Sequence, residues 1–210
     1  MAEIIPIKAW RYHPSLHASI EELLSPLFDV VSPRQREALY RNPNNSIHLS
    51  VPRGEHPEQD AALTLARWKA EEIIVQDEAP GIYVYYQYFT LPGQRKESCR
   101  KGIIAHIKAY DWEEGQILRH ENTITHAVED RLRLLRATKL QASPTHGLYE
   151  DPEGILDGYV SEAMESPLID VEDYQACAKY WASFETRKKS LKSAGLCARK
   201  KLSSQMAIIA

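Results

Sequence analysis

Between residues 118 and 138, the stretch LRHENTITHAVEDRLRLLRAT gathers His120, Glu121, Thr123, His126, Glu129, Asp130, Arg131, Arg133 and Arg136. A carboxylate beside an imidazole can act as a general base or carry Mg²⁺, and Arg131 with Arg136 could hold phosphate oxygens in a forked contact. His120-Glu121 does not open a metallopeptidase HExxH pair, because Ile124 stands where the second histidine is needed. The plainer reading is a helix whose acidic first turn, Glu129-Asp130, complements the helix dipole while Arg133 and Arg136 stay solvated. Asp29, within SPLFDVVSP, offers another carboxylate just ahead of a capped helix. It suits a site at a strand end or, equally, a turn.

The elements holding these residues follow from pattern. IIPIKAW predicts a first strand, and a helix from about Ser19 runs to the break at Ser25-Pro26. LFDVV reads as a short buried strand. Ser32 and Pro33 then start a helix over SPRQREALYRN, with Arg34, Arg36 and Glu37 on its wet face. Asn42-Pro43-Asn44-Asn45 is a turn, and the alternation of SIHLSV predicts a strand. Ala62, Leu65, Ala66 and Trp68 predict an amphipathic helix over 58–72. The aromatic and β-branched run GIYVYYQYF, the turn LPGQ and the return KGIIAHIKAY make a hairpin in which His106 is structural. EDRLRLLRATKLQ is a helix with Leu132, Leu135 and the Lys139 stem inward. A short strand in SPTHGLYEDPEG, a helix in GILDGYVSEAMES and a strand in PLIDVED follow. The expected class is α+β: a mixed, largely antiparallel sheet with flanking helices.

Composition bounds the function. A chain of 210 residues, 43% hydrophobic and 26% charged, can form one or two globular domains. No apolar run approaches the roughly 20 residues that span a bilayer, and MAEIIPIKAW lacks a signal-peptide pattern, so a cytoplasmic protein with no membrane partner is expected. Cys99, Cys177 and Cys197 share no close metal spacing and read as free thiols. The tyrosines of YVYYQYF could stack on bases, but such a strand is more often packing. The body has no Gly-rich phosphate loop, no Ser/His/Asp order and no basic-aromatic stripe. Charge is split: residues 176–210 carry eight Lys or Arg against Glu185 alone, a net +7, while the preceding 175 stand at −10 within a total of −3.

KAWRYHP, SPLFDVVSPRQREALYRNPNNSIHLSVP, LRHENTITHAVEDRLRLLRAT and SPTHGLYEDPEG together resemble the bacterial and archaeal family catalogued as domain of unknown function 1015. The resemblance runs in order from about Pro6 to Gln175. It implies a longer relative that continues into ADGHHRYETAL, similar to the phosphate-binding box of the ParB and sulfiredoxin superfamily, which includes nucleotide-dependent free-serine kinases. In such a box the glycine permits close backbone approach, and the helix N-terminus favours an anion. By resemblance, His120, Glu121 and Thr123 match the family's HExT, Asp130 and Arg131 its EDR, and Asp29 its PPYDVIS. Two departures stand out. Leu27 and Phe28 replace Pro and Tyr, and His126-Ala127-Val128 replaces Gly-Pro-Lys, removing a lysine suited to phosphate.

ADGHHR is missing after residue 175, yet its letters lie in another frame. Leu202 to Ala210 can be encoded TTA TCA TCG CAG ATG GCC ATC ATC GC, after a lysine codon ending in G. One base earlier this reads GTT ATC ATC GCA GAT GGC CAT CAT CGC, or VIIADGHHR. The Met206 codon is unique, so CAG ATG gives Asp, and any Met-Ala pair gives Gly. The expectation is therefore a frameshift near Gln175, with residues 1–175 the N-terminal part of the family domain and 176–210 an out-of-frame, poorly ordered tail. The resemblance implies a kinase-like enzyme that binds a nucleotide with Mg²⁺ and a small hydroxyl-containing substrate. Glu121, Asp29 and His120 would be its catalytic groups, and Thr123, Asp130, Arg131 and Arg136 its nucleotide contacts. With the phosphate box unreadable, this chain is expected to be inactive. The alternative is a non-catalytic ParB-like binding or regulatory module. A nucleic-acid-binding tail is a third reading, which predicts salt-dependent DNA binding lost on deleting residues 176–210.

Overall fold

The computed structural model describes residues 2–119, 122–142, 144–172, 178–185 and 206–209. The chain divides into two compact units. One comprises residues 1–9, 77–120 and 145–210, and the other residues 10–76 and 121–144. Helices and largely antiparallel sheets give the α+β class expected from the pattern.

The first unit is built on the hairpin. Strand β4, Gly81–Thr90, pairs antiparallel with β5, Glu97–Ile104, from Tyr83 opposite Ile104 to Thr90 opposite Glu97. The aromatic and β-branched residues of β4 suit the pleated, buried surface they occupy. Leu91 to Gln94 closes the turn, with Gly93 at φ 80. Ile82, Val84 and Tyr86 lie on one face of β4 and pack with Ile103, Ala105 and Tyr149. Helix α6, Ile155–Met164, covers that face through Leu156 and Val160. Asp151 starts this helix by accepting from the backbone N–H groups of Ile155 and Leu156 at 3.0 and 2.8 Å.

Four further strands complete the sheet: β7 (His146–Tyr149), β8 (Ile169–Glu172), β9 (Ala178–Glu185) and β10 (Met206–Ile209). Their order is β7-β10-β5-β4-β9-β8, and the β10–β5 pair is parallel. A small separate pair joins β1, Ile4–Ile5, to β6, His106–Ile107. Pro6 follows β1, so the stretch predicted as one strand becomes β1 and, in the second unit, β2 at Trp10–Tyr12.

The second unit is mainly helical. Strand β2 pairs with β3, Ile74–Gln76, and Pro14–Ser19 forms a 3-10 turn leading into α1, Ile20–Leu23. Helix α2, Pro33–Leu39, begins as predicted. The Ser32 hydroxyl accepts from the Gln35 backbone N–H, the Gln35 side chain accepts from that of Ser32, and Pro33 occupies the first turn. Helix α4, Pro57–Ala70, buries Ala61, Leu65 and Trp68; the pattern had included Ala62 and Ala66, and Ala66 is exposed. Trp68 packs with Leu49, Leu65 and Ile74, and its ring lies 5.8 Å from that of Tyr12. A second cluster joins Val31, Tyr40 and Ile47.

Three expectations fail in this unit. LFDVV is a turn rather than a buried strand: the Val30 N–H donates to the Leu27 carbonyl, and Leu27, Asp29 and Val30 are exposed. SIHLSV contains a one-turn helix, α3 at Ile47–Ser50. Fully buried Asn45 decides this. Its Nδ2 donates to the Glu22 and Leu24 carbonyls at 2.8 and 2.9 Å, while its Oδ1 accepts from the Ile47 N–H at 2.9 Å. Those bonds tie the end of α1 to the start of α3, and a buried amide that must satisfy distant carbonyls overrides a weak alternation. In α5, Thr125–Thr138, the buried leucine is Leu134, whereas Leu132 and Leu135 are each 40% exposed. Lys139 is an exposed left-handed cap at φ 53, its N–H donating to the Leu135 carbonyl at 2.8 Å.

Candidate functional site

Arg131 is the best-positioned of the candidate residues. It lies in the second unit, early on α5, and its side chain reaches across to the end of α3. Nη1 donates to the Ser50 carbonyl at 2.5 Å. Nε and Nη2 donate to Asp130 Oδ2 at 3.1 and 2.5 Å. The guanidinium carbon lies 4.3 Å from the centre of the Phe28 ring, a cation–π stack. A ring below, a backbone acceptor at one end and a carboxylate at the other fix the plane of the fork. These contacts engage each nitrogen once and leave a second hydrogen on each Nη, the arrangement from which arginine grips a two-oxygen anion.

Asp130 is shared between two cations, because Arg133 Nη2 approaches its Oδ1 at 3.5 Å. That setting suits a carboxylate that orients arginine and is poor for a metal ligand. Asp29 is different: it adjoins the stacked Phe28 and is exposed in the 27–30 turn. Mg²⁺ commonly takes one or two protein carboxylates and fills its remaining positions with water and phosphate oxygens. Asp29 fits one such ligand. Among the described residues no group of three His, Cys, Asp or Glu side chains forms a metal cluster.

The other candidates divide. Thr123 is exposed just before α5, whose N-cap position is Ile124. Arg136 is exposed and stands five positions after Arg131, so the two emerge about 140° apart around the helix axis. The forked pair expected of them is not assembled on α5; Arg131 and Arg133 instead converge on Asp130. His120 and Glu121 lie outside the described residues. His126 and Glu129 are exposed.

Two contributors went unrecognised in the sequence. Phe28 showed only as a departure from a motif, although an aromatic beside Asp29 is a natural platform for arginine. The Ser50 carbonyl has no side-chain signature at all. Among the described residues no helix is long and apolar enough to cross a membrane.

The family model described as "Protein of unknown function (DUF1015)" matches residues 4–193. No curated protein and no solved structure matches the chain.

Proposed function

The chain belongs to the DUF1015 family, and we propose that its second unit carries the anion-binding part of a nucleotide-dependent, kinase-like enzyme related to the ParB and sulfiredoxin superfamily. The observation that carries this reading is Arg131, stacked on Phe28 and braced by Ser50 and Asp130 with hydrogens to spare on both Nη atoms. An arginine fixed in advance does not lose the freedom that a solvated one gives up on gripping phosphate, and phosphoryl transfer depends mainly on positioning and charge stabilisation. Arg131 would hold phosphate oxygens. Asp29 would take the proton of a substrate hydroxyl or hold one face of Mg²⁺, and Glu121 is the other base suggested by the sequence. Bound Mg²⁺ would neutralise phosphate charge.

On this reading, residues 176–210 are translated out of frame and the chain as given is inactive. The basic step, the clustering of Cys177 and Cys197 and the recoverable VIIADGHHR string support it. The family match continues from 176 to 193 and includes β9, which sets a competing position for the break, after residue 193. Sequencing the coding DNA separates these positions, and an uninterrupted frame whose codons cannot spell DGHHR removes the idea.

The anion site is tested by thermal unfolding with ATP, ADP and CTP, with and without Mg²⁺, since a ligand that binds only the folded state raises its stability. The expected result is a nucleotide-dependent rise that disappears in Arg131→Ala and survives in Arg133→Ala, each compared with its own ligand-free midpoint. No rise with any nucleotide would refute the site and favour a non-catalytic ParB-like module. In the frame-restored protein, nucleotide turnover with serine and other small hydroxyl compounds tests the kinase reaction itself.

A further inference from the structure

Helix α5 carries more apolar surface than its packing within the second unit uses. Leu134 is buried, and the helix packs against α4. On another side, Ile124 at the N-cap and Val128, Leu132 and Leu135 along the helix recur at steps of four, four and three residues. At about 100° per residue these steps hold the four side chains within about 80° of one another, centred roughly a third of a turn from Leu134. Ile124 is 76% exposed, Val128 46%, and Leu132 and Leu135 40% each. Single exposed leucines carry no message, but an aliphatic row at this spacing is the seam by which helices pair.

The seam matches itself when reversed. Its midpoint falls between residues 129 and 130, so a second α5 laid antiparallel across it sets Ile124 against the partner's Leu135 and Val128 against the partner's Leu132. Each contact then occurs twice, as an isologous interface requires. The exposed flank of the seam is polar in the same sense, with Glu129 in its first half and Arg133 and Arg136 in its second. Antiparallel pairing brings Glu129 beside the partner's Arg133, whereas parallel pairing would set both arginines against their own copies, and such flanking charges select the orientation of a helix pair. Arg133 is half exposed and meets Asp130 only at 3.5 Å, so it can reach a second carboxylate at little cost. Glu129 on that flank, together with the net acidic charge of residues 1–175, disfavours an anionic bilayer as the occupant.

We propose that this seam is a homodimer interface, in which α5 from each of two copies packs antiparallel about a two-fold axis. A single helix pair is smaller than the roughly 800 Å² per partner of a standard interface, so the dimer exchanges with monomer at a Kd on the order of 10–100 μM. The pairing does not depend on Arg131 binding an anion.

Sedimentation equilibrium of the full chain from about 5 to 300 μM tests it and should show a reversible monomer–dimer equilibrium. Leu132→Glu should leave the chain monomeric throughout, and Val128→Lys should do the same. Leu63→Glu, at an exposed leucine of α4 outside the seam, should change nothing. Urea midpoints show which variants are folded. Glu129→Arg sets like charges across the seam and should weaken the dimer about tenfold, and adding Arg133→Glu, which reverses both members of each pair, should restore it. A chain that stays monomeric overturns the proposal; if it also sediments with phosphatidylserine–phosphatidylcholine vesicles and loses this in Leu132→Glu, the seam belongs to a lipid surface instead. A dimer that survives both Leu132→Glu and Val128→Lys is made by another surface and overturns it as well. So does a dimer that Glu129→Arg leaves unweakened, or one that Arg133→Glu fails to restore.

Discussion

Replacing Arg131 with alanine measures how firmly its contacts brace that side chain. The hydrogen bond to the Ser50 carbonyl comes from a charged donor to a buried residue, and losing such a bond costs about 1.5–3 kcal/mol. The stack on Phe28 contributes about 0.5–1 kcal/mol. The pair with Asp130 adds less than about 1 kcal/mol, because the aspartate side chain is 43% exposed. One side chain makes all three contacts, so they do not add fully, and the expected loss is about 2–4 kcal/mol. Urea unfolding followed by tryptophan fluorescence reads this change through Trp68 in the same unit. Arg133→Ala, which loses only a 3.5 Å contact at the surface, should stay within about 0.5 kcal/mol of the parent. A double-mutant cycle of Arg131→Met with Phe28→Leu should give a coupling of about 0.5–1 kcal/mol. A loss below about 1 kcal/mol for Arg131→Ala, or one equal to that of Arg133→Ala, would refute the view that this arginine is held in advance.

Other consequences are equally direct. Gly54 has φ +126, and an added Cβ would sit 2.3 Å from Asp60 Oδ2. Gly54→Ala should therefore cost about 1–3 kcal/mol in urea unfolding, and Asp60→Ala in the same chain should relieve the clash but not the backbone strain. Ser32→Ala breaks the capping box of α2 and should cost about 1 kcal/mol; a change under about 0.3 kcal/mol would mean that solvent replaces the cap. Burial, reinforced by Arg53 and Arg67, holds the folded His48 pKa below its ordinary value of about 6.5. The unfolded chain thus takes up the proton first. The stability from neutral His48 is present above about pH 6.5 and is lost as the pH falls toward the folded pKa. His48→Gln should shrink the difference in urea midpoint between about pH 7.5 and pH 5, and an unchanged difference would rule out this histidine as its source.

The hairpin was legible because β4 is long, aromatic and followed by a proline-glycine turn, so pattern and turn chemistry agree. α2 was legible for the same reason: Ser32, Pro33 and Gln35 act within a few residues of one another. LFDVV and SIHLSV were misread because short apolar runs have no period long enough to settle strand against turn. LFDVV closes as a local turn, Val30 onto Leu27, whereas the outcome of SIHLSV rests on Asn45 reaching the distant carbonyls of Glu22 and Leu24. In α5 the pattern located the helix but not its inward face. Packing against α4 selected Leu134, leaving Leu132 and Leu135 half exposed.

The sequence alone determined the α+β class and the family, because composition, capping and motif order are local or additive properties of the chain. It also marked the charge step in its last residues. Only the tertiary structure decided which arginines work together. Arg131 and Arg136 share a helix but point apart, whereas Arg131 meets Phe28 and Ser50 from distant segments, and Arg53 comes to lie on Tyr40. The reason is geometric: a guanidinium is oriented by a ring face and a carbonyl, and folding places those groups where spacing along the chain carries no trace of them.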